Sequence, residues 1–141
     1  MRVAFKTLGD NKMPPPTFQH KRCHMVYDVK MENFQRKTRL VAGGHMTEVS
    51  SATMTYATVV IRESVRIALT LAALNNSEVK TADIENAYLT APIGEKIWYT
   101  LGPEFGEDEG KRAIIVRAFY GLKSAGASFR NHLADCMRHL G

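Results

Sequence analysis

Asp83 is the residue whose type and setting point most directly to chemistry. It closes a β-prone run, Val79-Lys80-Thr81-Ala82, and opens a helix-tolerant one, Ile84-Glu85-Asn86-Ala87-Tyr88-Leu89. A carboxylate at such a junction can hold Mg²⁺, a hard cation commonly bound by one or two carboxylates together with substrate phosphates. Two such ions can clamp the attacking and leaving oxygens of an in-line phosphoryl displacement. Tyr88, further along the same run, can set an aromatic ring against a sugar. Taken alone, an acid in an apolar-flanked run is more often a surface or capping residue. The metal reading therefore depends on what the rest of the chain places around Asp83.

Cations are the first part of that company. The chain has 141 residues and a net charge of +5. The imbalance is concentrated before His45, where Arg2, Lys6, Lys12, Lys21, Arg22, Lys30, Arg36, Lys37 and Arg39 face only Asp10, Asp28 and Glu32. Such a basic third fits a polyanion, either nucleic acid or a triphosphate, and equally fits a merely soluble basic surface. The length suits one domain with one moderate core, and 45% apolar residues exclude a disordered composition. No run is long and apolar enough to span a membrane, and the first residues carry no signal-peptide core. Cys23 and Cys136 are too few and too far apart for a disulfide framework. These features predict an intracellular protein, cytoplasmic or nuclear and not secreted.

The positioning elements follow from periodicity. Residues 1–19 are read as an irregular arm, with a turn at Gly9-Asp10-Asn11 and an extended spacer at Pro14-Pro15-Pro16. Period-two alternation over 20–32 predicts a half-buried strand. A turn at Glu32-Asn33-Phe34-Gln35 and a second strand over 36–42 complete a basic hairpin. Its cations can reach a phosphate, or can serve only to protect an exposed edge. Residues 45–56 read as a loop. Val59, Val60, Val65, Ala68, Leu69, Ala72 and Ala73 then predict an amphipathic helix over 58–74 with one face on the core. Strands are expected at 96–101 and 113–116, separated by a loop that carries the solvated acids Glu107, Asp108 and Glu109. A last helix is expected over 124–140, with Ser124 at its N-cap and Gly126 weakening its first turn. His132, Cys136 and His139 share one face of it, and a structural role is favoured over metal ligation because no second cluster completes a site.

Four segments, in order, resemble the reverse transcriptase of copia-type long-terminal-repeat retrotransposons. Lys37-Thr38-Arg39-Leu40-Val41-Ala42-Gly43-Gly44 is similar to the family's K-A-R-L-V-A-x-G. Thr55-Tyr56-Ala57-Thr58-Val59-Val60 is similar to T-F-[AS]-P-V-V. Residues 79–89 resemble the first palm motif, D-V-K-T-A-F-L, and Ala118-Phe119-Tyr120-Gly121-Leu122-Lys123-Ser124-Ala125 resembles A-[IL]-Y-G-L-K-Q-A. The resemblance runs from His20 to the end of the sequence. It implies an α+β fold: fingers over about 20–78 and a partial palm over about 79–141, an antiparallel sheet packed by the two long helices.

The resemblance also implies roles. Asp83 matches the first catalytic aspartate, a metal ligand, and Ile84 matches the neighbour whose backbone carbonyl faces the metal. Tyr88 matches the ring that excludes a ribose 2′-hydroxyl. Lys37 and Arg39 match basic positions near the triphosphate. Tyr120, Gly121, Lys123 and Ser124 match the segment against template and nucleotide. The implied reaction is attack of a primer 3′-hydroxyl on the α-phosphate of a deoxynucleoside triphosphate, with two Mg²⁺ ions, on an RNA or DNA template-primer. The sequence departs from the pattern at Glu85-Asn86, usually Lys-Thr, at Thr58 and Gly126, usually Pro, and at Ser124, usually Gln. It contains no Tyr-x-Asp-Asp, the family's source of further metal-binding carboxylates. The expectation is therefore a polymerase domain fragment inactive by itself. The alternative is a nucleic-acid-binding remnant that performs no chemistry.

Overall fold

A computed structural model describes residues 4–9, 12–43 and 55–140. Six strands and three helices form in these residues: β1 (Phe5–Thr7), β2 (Gln19–His20), β3 (Cys23–Lys30), β4 (Gln35–Ala42), α1 (Arg62–Leu74), α2 (Ala87–Thr90), β5 (Ile97–Thr100), β6 (Arg112–Ile115) and α3 (Ala125–Leu140). A 3₁₀ segment, Pro103–Asp108, lies between β5 and β6. The mixed helix and strand content agrees with the α+β expectation. The loop expected over 45–56 lies, except for its last two residues, outside the described residues.

The core sits on a four-stranded sheet in the order β1-β6-β5-β2. The β1–β6 and β6–β5 pairs are antiparallel, and the short β2–β5 pair is parallel. Alternation along β5 and β6 turns Ile97, Tyr99, Ala113 and Ile115 inward. Tyr99 lies directly opposite Ala113, so the smallest apolar side chain leaves room for the largest buried one. Rings from two other segments close over Tyr99: Phe5 lies edge-on at 5.9 Å, and Phe105 lies 6.2 Å from Tyr99 and 5.4 Å from Phe5. Such edge-to-face contacts add to the area these rings remove from water.

Residues 1–19 are accordingly not irregular throughout. Phe5, Lys6 and Thr7 pair with Ile115, Ile114 and Ala113, and the Ala4 carbonyl accepts the Val116 and Arg117 amides at 3.0 and 3.2 Å. A three-residue strand is too short to announce itself by periodicity, and only the open edge of β6 selects it. The segment expected as a loop at Pro103–Asp108 coils instead into 3₁₀ turns, begun by Pro103 in the first turn, where its missing N–H costs nothing.

Two helix expectations change in a different way. Helix α1 forms, but it begins at Arg62 and none of its residues is buried; Val65 and Leu69 keep 43% and 50% of their surface exposed. Helix α3 buries only Ala125 and Ala127, at its first turn. Helix α3 therefore meets the core only through its first turns, with Phe129 half-buried against it, while α1 buries nothing among the described residues. Helical spacing establishes that an apolar stripe exists, while burial also requires a facing element, and the described residues supply none for α1. The run 79–83 is likewise not a strand. β-propensity becomes a strand only where a neighbouring backbone offers ladder hydrogen bonds.

The hairpin forms, with eight cross-strand pairs from Cys23↔Ala42 to Lys30↔Gln35. Its first strand is shorter than expected: His20 pairs with Trp98 of the other sheet, and from Val26 to Lys30 the strand is exposed rather than half-buried. The hairpin base is clamped on two sides: the Gly43 amide donates to the Arg22 carbonyl at 2.9 Å, and the Ala42 amide to the Tyr120 carbonyl at 2.8 Å. Gly121, at φ +89°, makes this docking possible, because a Cβ there would overlap the Ala42 carbonyl oxygen and come within 2.7 Å of Val41 Cγ1. Gly126 allows a second close approach: a Cβ on it would stand 3.2 Å from that of Ala57. The departure at Gly126 thus has a packing reason.

Burial also shapes titration. Cys23, at the start of the hairpin, has its thiol pushed up from 9.0 to about 12, chiefly by burial and secondly by the Glu104 carboxylate. The Tyr99 phenol is pushed up in the same direction by burial, then by Cys23 and Glu104. A raised folded pKa means that the native state keeps a proton the unfolded chain releases. This stabilisation is complete below pH 9.0 and is lost as pH rises toward about 12. Urea midpoints should fall over that window, and Cys23→Ala should flatten the fall. Parallel curves for the two proteins would contradict this account.

Candidate functional site

The hairpin and the segment after α1 meet around a cavity of about 850 Å³. Arg36, Lys37 and Arg39 line it from β4, Asp83 and Ile84 from the segment that leads into α2, and Tyr120 from the turn before α3. Residues 37 and 39 share a face of β4 because side chains alternate along a strand. Lys37 is exposed, and its cross-strand neighbour is Asp28. Asp28 also lies 3.8 Å from Arg39, with both side chains substantially solvated. An ion pair in that setting contributes about 1 kcal/mol or less, so Arg39 can exchange it for a phosphate.

Asp83 is exposed, and among the described residues its carboxylate has no hydrogen-bond or ion-pair partner. The chain turns sharply just beyond it. Asn86 takes a left-handed conformation, φ 52°, ψ 41°, and starts α2. Asn is among the few non-glycine residues that adopt this region readily, so the departure to Asn86 suits the turn that presents Asp83 and Ile84.

The remaining residues singled out in the sequence stand outside the cavity lining. Tyr88 is half-buried on α2, its ring edge-on to Tyr120 at 5.2 Å and to Phe129 at 6.1 Å. It supports the Tyr120 ring from behind. Gly121 serves the hairpin docking described above. Lys123 is exposed. Ser124 is buried: its amide donates to Glu95 Oε1 at 2.9 Å, and its hydroxyl bonds the same oxygen. The Glu95 carboxylate thus satisfies donors at the N-terminus of α3, where negative charge is favoured. Glu95 Oε2 is buried without a partner among the described residues. On α3, Cys136 Sγ lies 3.9 Å from His132 Nε2, and His139 Nδ1 lies 2.7 Å from the Asp135 carbonyl oxygen.

Among the contributors to the cavity that the sequence reading missed are Phe5, Glu104 and Phe105. Phe5 belongs to the short strand β1, and Glu104 and Phe105 to the 3₁₀ segment, neither of which has a usable periodicity. Glu85, which stands where the family pattern has Lys, also lines the cavity. Even so, among the described residues no group of three His, Cys, Asp or Glu side chains is placed to hold a metal ion. These donors do not make a two-metal site.

Asp83, on the segment that leads into α2, and the cations of β4 thus line one cavity of about 850 Å³. Residues 13–141 match the family described as Reverse transcriptase (RNA-dependent DNA polymerase), and the chain belongs to that family. No curated protein and no solved structure matches the chain. Family membership implies a nucleic-acid template and nucleotide substrates. No helix among the described residues is long and apolar enough to cross a membrane.

Proposed function

We propose that these residues are part of the RNA-directed DNA polymerase of a copia-type retrotransposon: the fingers hairpin and the first portion of the palm. The observation that carries the reading is the shared cavity, with Asp83 on one side and Arg36, Lys37 and Arg39 on the other. In this reading Lys37 and Arg39 hold the triphosphate of a deoxynucleotide and offset charge developing on it. Asp83 and the Ile84 carbonyl receive the Mg²⁺ that accompanies the phosphates. Bound there, that ion supplies Lewis-acid charge stabilisation. Tyr120 lies against the nucleotide, and Tyr88 sets the position of the Tyr120 ring, contributing to exclusion of a 2′-hydroxyl. Gly121 fixes the hairpin's distance from this segment, and Lys123 and Ser124 follow on the template side, Ser124 through its hold on Glu95.

Because the sequence lacks Tyr-x-Asp-Asp and the described residues offer no group of three metal-binding side chains, the 141-residue chain by itself binds nucleotide but does not extend a primer. The same observation favours a second reading, a nucleic-acid-binding remnant without catalysis. The two differ at Asp83. Titration calorimetry with a deoxynucleoside triphosphate and Mg²⁺ should show affinity falling about tenfold or more in Lys37→Ala/Arg39→Ala, since each charge-assisted hydrogen bond contributes roughly 1.5–3 kcal/mol. Asp83→Asn should remove the Mg²⁺-dependent part only. If the double variant binds like the parent, the cavity is not the nucleotide site. If nucleic acid binds with a steep salt dependence and Asp83→Asn changes nothing with either ligand, the remnant reading replaces the polymerase one.

A further inference from the structure

We infer that the half-buried rings of Phe5 and Phe105 form the wall that receives the base of the bound nucleotide. This inference rests on the nucleotide reading above and goes beyond it, because Phe5 comes from a strand outside the segment that matches the family, residues 13–141. The cavity is lined by both cations and apolar side chains: Lys30, Arg36, Lys37 and Arg39 come from the hairpin together with Met25 and Leu40, while Phe5, Phe105, Phe119 and Leu89 come from other segments, with Glu104 beside Phe105. Asp83 and Asn86 also line it.

A nucleoside triphosphate needs both kinds of lining. Its phosphate end needs cations, and its base needs a dry, planar surface. With phosphates at Lys37 and Arg39 and the accompanying Mg²⁺ at Asp83, the apolar wall is the surface left for the base. The volume, about 850 Å³, falls within the range of small-molecule sites. The wall is rigid for a physical reason. Phe5 and Phe105 stand edge-to-face at 5.4 Å, each braced on the buried Tyr99, and Phe5 is held in register by its pairing with Ile115. Neither ring is fully buried, so each retains surface for a ligand. Phe119, at 5% exposed, is committed to the core and acts as backing. Strand β1 therefore does more than cover an edge of β6: it carries part of the binding site.

The test compares two ligands, dATP and inorganic tripolyphosphate, each with Mg²⁺, by calorimetry on the full chain. The parent should bind dATP more tightly than tripolyphosphate. Phe5→Leu and Phe105→Leu keep an apolar side chain in the cluster but remove the flat face. Each should weaken dATP by about fivefold or more, as loss of a base-stacking ring does, and leave tripolyphosphate unchanged. Lys37→Ala should weaken both ligands together. If the leucine variants bind dATP like the parent, or lose both ligands equally, the wall is packing only and the inference is overturned. Equal affinity of the parent for the two ligands overturns it as well. If the parent binds neither ligand, the nucleotide reading itself fails, and that result is distinct from the others.

Discussion

Gly121→Ala should destabilise the protein by about 3 kcal/mol or more, far beyond what an added methyl group costs on a surface turn. Two effects combine. At φ +89° an L side chain is strained, which costs roughly 1–2 kcal/mol. The new Cβ would also overlap the Ala42 main-chain oxygen, and a carbonyl in a strand cannot rotate aside as a flexible side chain can. The only relief is for the hairpin to lift from the turn, which breaks the Ala42–Tyr120 hydrogen bond and opens the cavity. Gly110 provides the control. Its φ is +79°, but a Cβ there meets nothing within 4 Å, so Gly110→Ala should cost only about 1 kcal/mol. Urea unfolding of both variants isolates the overlap as the difference between them. Equal losses would mean that the hairpin does not dock where described.

Tyr99 carries the second large effect, and its sign depends on the substitution. Tyr99→Ala removes a ring that is 1% exposed and contacts Phe5 and Phe105, so a loss of about 3–5 kcal/mol is expected. Tyr99→Phe keeps the ring and deletes a hydroxyl that is buried without a partner among the described residues. Removing an unsatisfied polar group from a core is neutral or favourable, so this variant should match or exceed the parent by up to about 1 kcal/mol. It should also lose stability less steeply above pH 10, the ordinary value of the phenol it removes, because one of the two raised groups is gone. A Tyr99→Phe variant clearly less stable than the parent would show that the hydroxyl has a partner.

The parts of the fold legible in the sequence were those fixed by local pattern. The hairpin showed in its alternation and its turn, and β5, β6, α1 and α3 showed in their periodicity. What stayed hidden depended on neighbours. Phe5–Thr7 has no pattern of its own and becomes a strand only because β6 offers an edge. The run before Asp83 has strand propensity but, among the described residues, no adjacent backbone to pair with. The stripe on α1 is plain in the sequence and uncovered among the described residues. At the site, cation and acid were identifiable by type and order, and the structure brings Asp83, Lys37, Arg39 and Tyr120 to one cavity. That Tyr88 lies behind Tyr120, and that the Ser124 hydroxyl is engaged by Glu95, are facts of packing that no motif encodes.

The central claim, that Asp83 and the hairpin cations share one metal–nucleotide site, is tested most directly by iron-mediated backbone cleavage. Fe²⁺ replaces Mg²⁺ beside a bound deoxynucleoside triphosphate, and ascorbate with peroxide then generates radicals that cut the chain nearest the ion. The account predicts cuts around Asp83 and Ile84 and across the cavity at Arg36–Arg39, both requiring nucleotide and both lost in Asp83→Asn. Cuts confined to other segments, or a pattern unchanged by Asp83→Asn, would contradict it.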